Sequence, residues 1–132
     1  MKGVNALGNQ VAVDLYECET ELNDIAFIRE ALKRAARAGK ATIVAENFHQ
    51  FAPQGVSGVL IIAESHIAVH TWPEFAYAAV DVFTCGTTVD AMAIKESLEK
   101  DLRAGRVTVE ETKRGLIRAP VPKAYPKAES TS

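Results

Sequence analysis

A chain of 132 residues, 48% hydrophobic and 24% charged, is long enough to bury its own core and has the balance of an ordinary globular protein. Its net charge of −2 offers no basic footprint for nucleic acid. No apolar run approaches the ~20 residues that cross a membrane, and MKGVNALGNQ lacks a signal peptide's apolar stretch. Two cysteines, Cys18 and Cys85, make no disulfide framework, so the expectation is a single domain in a reducing cytoplasm.

Val11, Val13 and Leu15 alternate with Ala12, Asp14 and Tyr16, the period of a half-buried strand over 11–16. Thr20 offers a helix N-cap, and Leu22, Ile25, Ile28, Leu32 and Ala36 fall at helical spacing over 21–38, with Gly39 as the stop. Strands are expected at 41–48, 57–64, 66–72 and 75–85, with FAPQG as a loop and Pro73 as an interruption. Asp90 caps a second helix over 91–103, and a last strand lies at 106–111. Short connections between the middle strands demand antiparallel pairing. The predicted fold class is therefore an α/β two-layer sandwich: a mainly antiparallel sheet with two helices on one face. The domain is expected to span 1–118, with a poorly ordered tail at 119–132.

The polar residues of the middle block supply the chemistry. Glu64, Ser65 and His66 lie between two apolar strands; His70, Thr71, Trp72 and Glu74 follow, then Thr84, Cys85 and Gly86. Serine, histidine, cysteine and carboxylate serve nucleophilic and acid–base reactions. Taken alone, a turn serine, a satisfied histidine and a buried thiol are the more ordinary readings. Ser65 and His70 are five apart, so on one unbroken strand they point to opposite faces. There is no GxSxG elbow, no phosphate cradle and no zinc set around His49, His66 and His70. A serine or cysteine hydrolase has only isolated residues to support it.

The run SGVLIIAESHIAVHTWPE (57–74), flanked by FHQFAPQGVSG and YAAVDVFTCG, resembles the bacterial and archaeal S-adenosylmethionine decarboxylase proenzymes. The likeness extends from LGNQVAVDLYEC through the last strand. It implies self-cleavage between Glu64 and Ser65. The Ser65 hydroxyl attacks the Glu64 carbonyl, the resulting ester is eliminated, and residue 65 becomes a pyruvoyl group capping chain 65–132. His70 matches the processing histidine and Ser57 a serine that assists. The pyruvoyl group forms a Schiff base with the substrate amine and replaces pyridoxal phosphate as electron sink, with no metal, and Cys85 matches the proton donor. Phe51, Trp72 and Glu74 match positions near the substrate, and Glu17 is a weaker candidate.

The implied partners are the small-molecule substrate and a second copy of the chain, in a homodimer of cleaved protomers; neither nucleic acid nor membrane is expected. The likeness departs after Gly8, where many relatives carry a basic–histidine pair and this chain has Asn9 and Gln10. The implied activity is release of carbon dioxide from S-adenosylmethionine, making the aminopropyl donor for spermidine. A relative acting on arginine or ornithine is the alternative within the chemistry. A non-processing binding or regulatory homologue is the alternative of another class.

Overall fold

The computed structural model describes residues 5–86 and 88–118; the expected tail at 119–132 lies outside them. The elements are β1 (Asn5–Tyr16), α1 (Ile25–Ala38), β2 (Ile43–Gln50), β3 (Val56–Ile62), β4 (Ser65–Trp72), a 3-10 turn (Pro73–Phe75), β5 (Tyr77–Thr84), α2 (Ala91–Leu102) and β6 (Arg106–Ile117). One sheet runs β2-β3-β4-β5-β1-β6, with every pair antiparallel. This is the predicted sandwich, in the predicted order of elements.

Alternation decides which residues meet the helices. Val11, Val13 and Leu15 of β1, Leu60 and Ile62 of β3, Ile67 and Val69 of β4, and Val80 and Val82 of β5 are all buried. Against them lie Ile28, Leu32 and Ala36 of α1 and Ile94, Leu98 and Leu102 of α2. Each large aliphatic side chain taken from water contributes roughly 1.5–3 kcal/mol. The intervening residues, among them Ser57, His66, His70 and Trp72, stand on the sheet's other face, which no helix covers.

Several boundaries differ from the sequence reading, each for a local reason. β1 begins at Asn5 rather than Val11, and β6 reaches Ile117 rather than Glu111, because the two strands pair along their whole length. Backbone pairing carries these segments, half-buried in β1 and mostly exposed in β6, so no hydrophobic alternation marks them. The cap of α1 is Asp24, whose carboxylate accepts from the Ala26 and Phe27 N–H groups at 3.0 and 3.1 Å. Thr20 instead donates to the Leu102 carbonyl at 3.1 Å, tying the chain before α1 to the end of α2. Leu22 joins the core from a loop, which is why its spacing imitated a helix. Asp90 caps α2 as expected, accepting from the Met92 and Ala93 N–H groups. The fifth strand starts at Tyr77 instead of 75, after the 3-10 turn and a left-handed Ala76.

Candidate active site

The third strand ends at Ile62, not Glu64, because Ala63 and Glu64 form the two-residue turn into β4, with Ile62 opposite Ser65. Glu64 takes φ +68°, the left-handed region. A side chain there costs roughly 1–2 kcal/mol relative to an ordinary backbone conformation. The bond between Glu64 and Ser65 therefore sits at a strained corner. Ser65, half-buried, accepts a hydrogen bond from the Cys85 backbone N–H at 3.3 Å. The register explains this meeting: β4 pairs β5 with His66 opposite Phe83, which puts the chain just after β5 beside the start of β4. Gly86 takes φ +85° there, and the Glu64 carboxylate lies against it, 3.7 Å from where a Cβ would stand.

At the opposite end of the same strands, Ser57 of β3 lies directly across from His70 of β4. The Ser57 Oγ and His70 Nδ1 are 2.8 Å apart, within hydrogen-bonding distance. The pair borders a shallow depression of about 330 Å³ on the open face, lined also by Asn47, His49, Val59 and Ala68. Ser65 and His70, five positions apart on one strand, are separated by about 16 Å at the usual rise per residue. The structure thus brings Ser65, Glu64 and Cys85 together, and Ser57 with His70, but keeps the two groups apart within one chain.

The substrate candidates gather at the His70 end. Trp72, 39% exposed, is two residues on, with its ring centroid 6.4 Å from that of His70. Phe51 is half-exposed in the loop after β2 and meets His49 edge-on at 4.5 Å. Glu74 projects from the exposed 3-10 turn. Glu17 lies outside this group, just after β1; its carboxylate approaches Arg106, the first residue of β6, at 4.0 Å.

Sequence reading missed a row of aromatic residues beside Trp72. Tyr77 meets Trp72 at a tilt at 5.3 Å and stacks on Tyr16 at 5.2 Å, and its hydroxyl donates to Asp14 at 2.6 Å. Burial, then that carboxylate, pushes the Tyr77 hydroxyl well above the usual phenol range. The available signal was strand parity: Asp14, Tyr16, Trp72 and Tyr77 occupy open-face positions. The two cysteines also separate. Cys85 stands beside Ser65, whereas Cys18 is buried in the core, its thiol directed at the Leu15 carbonyl at 3.6 Å and pushed up to about 11 by burial.

The S-adenosylmethionine decarboxylase family profile matches residues 9–115. The chain belongs to this family. It is 46% identical over 115 residues to the S-adenosylmethionine decarboxylase proenzyme of Acidithiobacillus ferrooxidans, covering 86% of each chain. It is 50% identical over 115 residues to that of Carboxydothermus hydrogenoformans, covering 86% of this chain and 91% of the relative. The adenosylmethionine decarboxylase structure from Aquifex aeolicus superposes with a TM-score of 0.78 at 32% identity, over 86% of this chain and 94% of that one. A Trypanosoma brucei AdoMetDC monomer shares the fold, with a TM-score of 0.57 at 17% identity, over 76% of this chain and 44% of that one.

Proposed function

We propose that the chain is a self-cleaving, pyruvoyl-dependent S-adenosylmethionine decarboxylase that works as a homodimer and supplies the aminopropyl donor for spermidine. The observation that carries this reading is the left-handed Glu64 next to Ser65, whose hydroxyl oxygen is held by the Cys85 N–H. A strained scissile bond and a nucleophile held beside it are parts that backbone self-cleavage needs.

Cleavage begins when the Ser65 Oγ adds to the Glu64 carbonyl carbon and the peptide nitrogen leaves, giving an ester. Oriented donors stabilise the oxyanion formed on the way. Loss of the Ser65 α-proton then breaks the ester C–O bond, freeing chain 1–64 as a carboxylate. The dehydroalanine left behind is hydrolysed, releasing ammonia and leaving residue 65 as a ketone-bearing cap.

The α-proton needs a base, and His70 of the same chain is about 16 Å away on the other face. The uncovered sheet face supports an answer. It carries Val59, Ile61, Ala68 and Phe83, with Ile61 44% exposed, and a second copy packed on it by a two-fold axis would bury them. Such packing would bring the partner's Ser57 and the partner's His70 to the Glu64–Ser65 turn at the end of this chain's β3–β4 hairpin, and each dimer would hold two such sites. With His70 Nδ1–H donating to the Ser57 oxygen, the Ser57 hydroxyl is free to donate to the oxyanion. The Nε2 of His70 is then free to take the proton.

A pyruvoyl carbonyl at position 65 supplies the electron sink for loss of carbon dioxide from a condensed α-amine. The Cys85 thiol returns a proton to carbon. The aromatic rings of Phe51 and Trp72 suit a purine and a sulfonium cation, and Glu74 suits a cationic, hydroxyl-rich ligand.

The deciding measurement is the intact mass of the denatured protein, followed by carbon dioxide release. Fragments 1–64 and 65–132, the second blocked by a pyruvoyl group, together with turnover of S-adenosylmethionine, are expected. A single uncleaved chain after long incubation would overturn the enzyme reading. Release from arginine or ornithine alone would overturn the substrate.

A further inference from the structure

Trp72 does not stand alone on the open face. It is directly opposite Tyr77 across β4 and β5, and Tyr16 is directly opposite Arg106 across β1 and β6. The rings join these pairs into one rung over four strands. Trp72 and Tyr77 lie 5.3 Å apart at 33°, Tyr77 and Tyr16 5.2 Å apart at 26°, and the Arg106 guanidinium caps Tyr16 at 3.9 Å. A short polar tether fixes the middle of the rung: the Tyr77 hydroxyl donates to the Asp14 carboxylate at 2.6 Å.

Trp72 needs such a support. It is the last residue of β4, it is followed by Pro73 and a 3-10 turn, and it is 39% exposed. An exposed indole at a strand end samples several rotamers unless a neighbour holds it. His70 meets it only obliquely, at 6.4 Å and 49°. Tyr77 is therefore the ring against which the indole settles, and the bond to Asp14 stops the phenol from swinging away.

We propose that Tyr77 and Asp14 are positioning residues that hold the Trp72 indole in the orientation that receives the substrate's purine or sulfonium. This rests on the reading of Trp72 as a substrate-facing ring. Neither residue touches the reacting atoms; both act through Trp72.

Trp72 is the sole tryptophan of the chain, so its emission and anisotropy report its state without interference. The test compares the processed wild type with Tyr77→Leu, Tyr77→Phe, Asp14→Ala and Asp14→Asn. Each is measured for tryptophan anisotropy, for KM and kcat with S-adenosylmethionine, and for assembly state by sedimentation. Tyr77→Leu and Asp14→Ala are expected to lower the anisotropy and raise KM roughly two- to tenfold, the range of one aromatic pair, with a smaller change in kcat. Asp14→Asn still offers an acceptor to the phenol and is expected to restore both. Should Tyr77→Leu fold poorly, Asp14→Ala carries the test, since it leaves every ring in place.

Unchanged anisotropy and KM in a folded, dimeric Asp14→Ala would overturn the proposal. A KM change explained by dissociation of the dimer would overturn it too. A Trp72→Leu control separates the two readings. If its KM stays normal while Tyr77→Leu still loosens the indole, the substrate role of Trp72 has failed and not the support.

Discussion

Ser65 and His70 occupy one strand, yet their side chains leave it on opposite faces and about 16 Å apart. A base cannot work across that span, so on the proposed function cleavage would be a property of two chains. Ser65→Ala and His70→Ala should each abolish or stall cleavage when alone. Co-expressed in equal amounts, they should regain it, because the Ser65→Ala chain lends its His70 to the other. About half of the His70→Ala chains should be cut, the share that random pairing places in mixed dimers. Mass spectrometry of the mixture reads this directly, and no cutting of either chain would refute the shared site.

Replacing Cys85, the proposed proton donor, should uncouple the two reactions. Cys85→Ala keeps the backbone N–H that holds the Ser65 oxygen, so cleavage should proceed. Turnover of S-adenosylmethionine should fall roughly 10²–10⁴-fold, the usual loss of a positioned acid. Faithful, fast turnover by this variant would free Cys85 of the role.

Strain at the corner is open to a direct test. Glycine adopts the left-handed conformation without penalty, and Glu64 holds φ +68°. In the uncleavable Ser65→Ala background, Glu64→Gly should raise stability by about 1 kcal/mol in urea denaturation. In the active background the same change should lengthen the half-time of cleavage. Faster cleavage with glycine would show that the conformation contributes nothing to processing.

Alkaline stability should depend on Cys18. Burial pushes the Cys18 thiol up to about 11 in the folded chain. The folded state therefore holds a proton that the unfolded chain gives up as pH rises past about 9. Stability from this group is complete below that point and is lost progressively up to about pH 11, by an amount on the order of 2 kcal/mol. Urea midpoints taken from pH 8 to 11 should fall less steeply in Cys18→Ala than in the wild type. Parallel slopes would remove Cys18 from the pH response.

Much of the layout was legible because burial writes a period into the chain. Val11, Val13 and Leu15 could only be a strand with one dry face, and Ile94, Leu98 and Leu102 only a helix with one apolar stripe. The roles of Glu64, Ser65, His70 and Cys85 came from a resemblance and rest on the proposed function. The extension of β6 to Ile117 was not legible, since exposed residues paired through their backbone carry no such period.

The sequence by itself determined the elements, their order and the residue types available for chemistry, since these follow from local spacing and side-chain identity. Only the tertiary structure decided which of those residues meet. Sheet register joined Ser65 to Cys85, twenty positions away, and Ser57 to His70, thirteen positions away. The same alternation that buried Ile67 and Val69 turned His70 away from Ser65. Contacts of that kind depend on strand pairing across distant segments, which no local pattern in a single chain encodes.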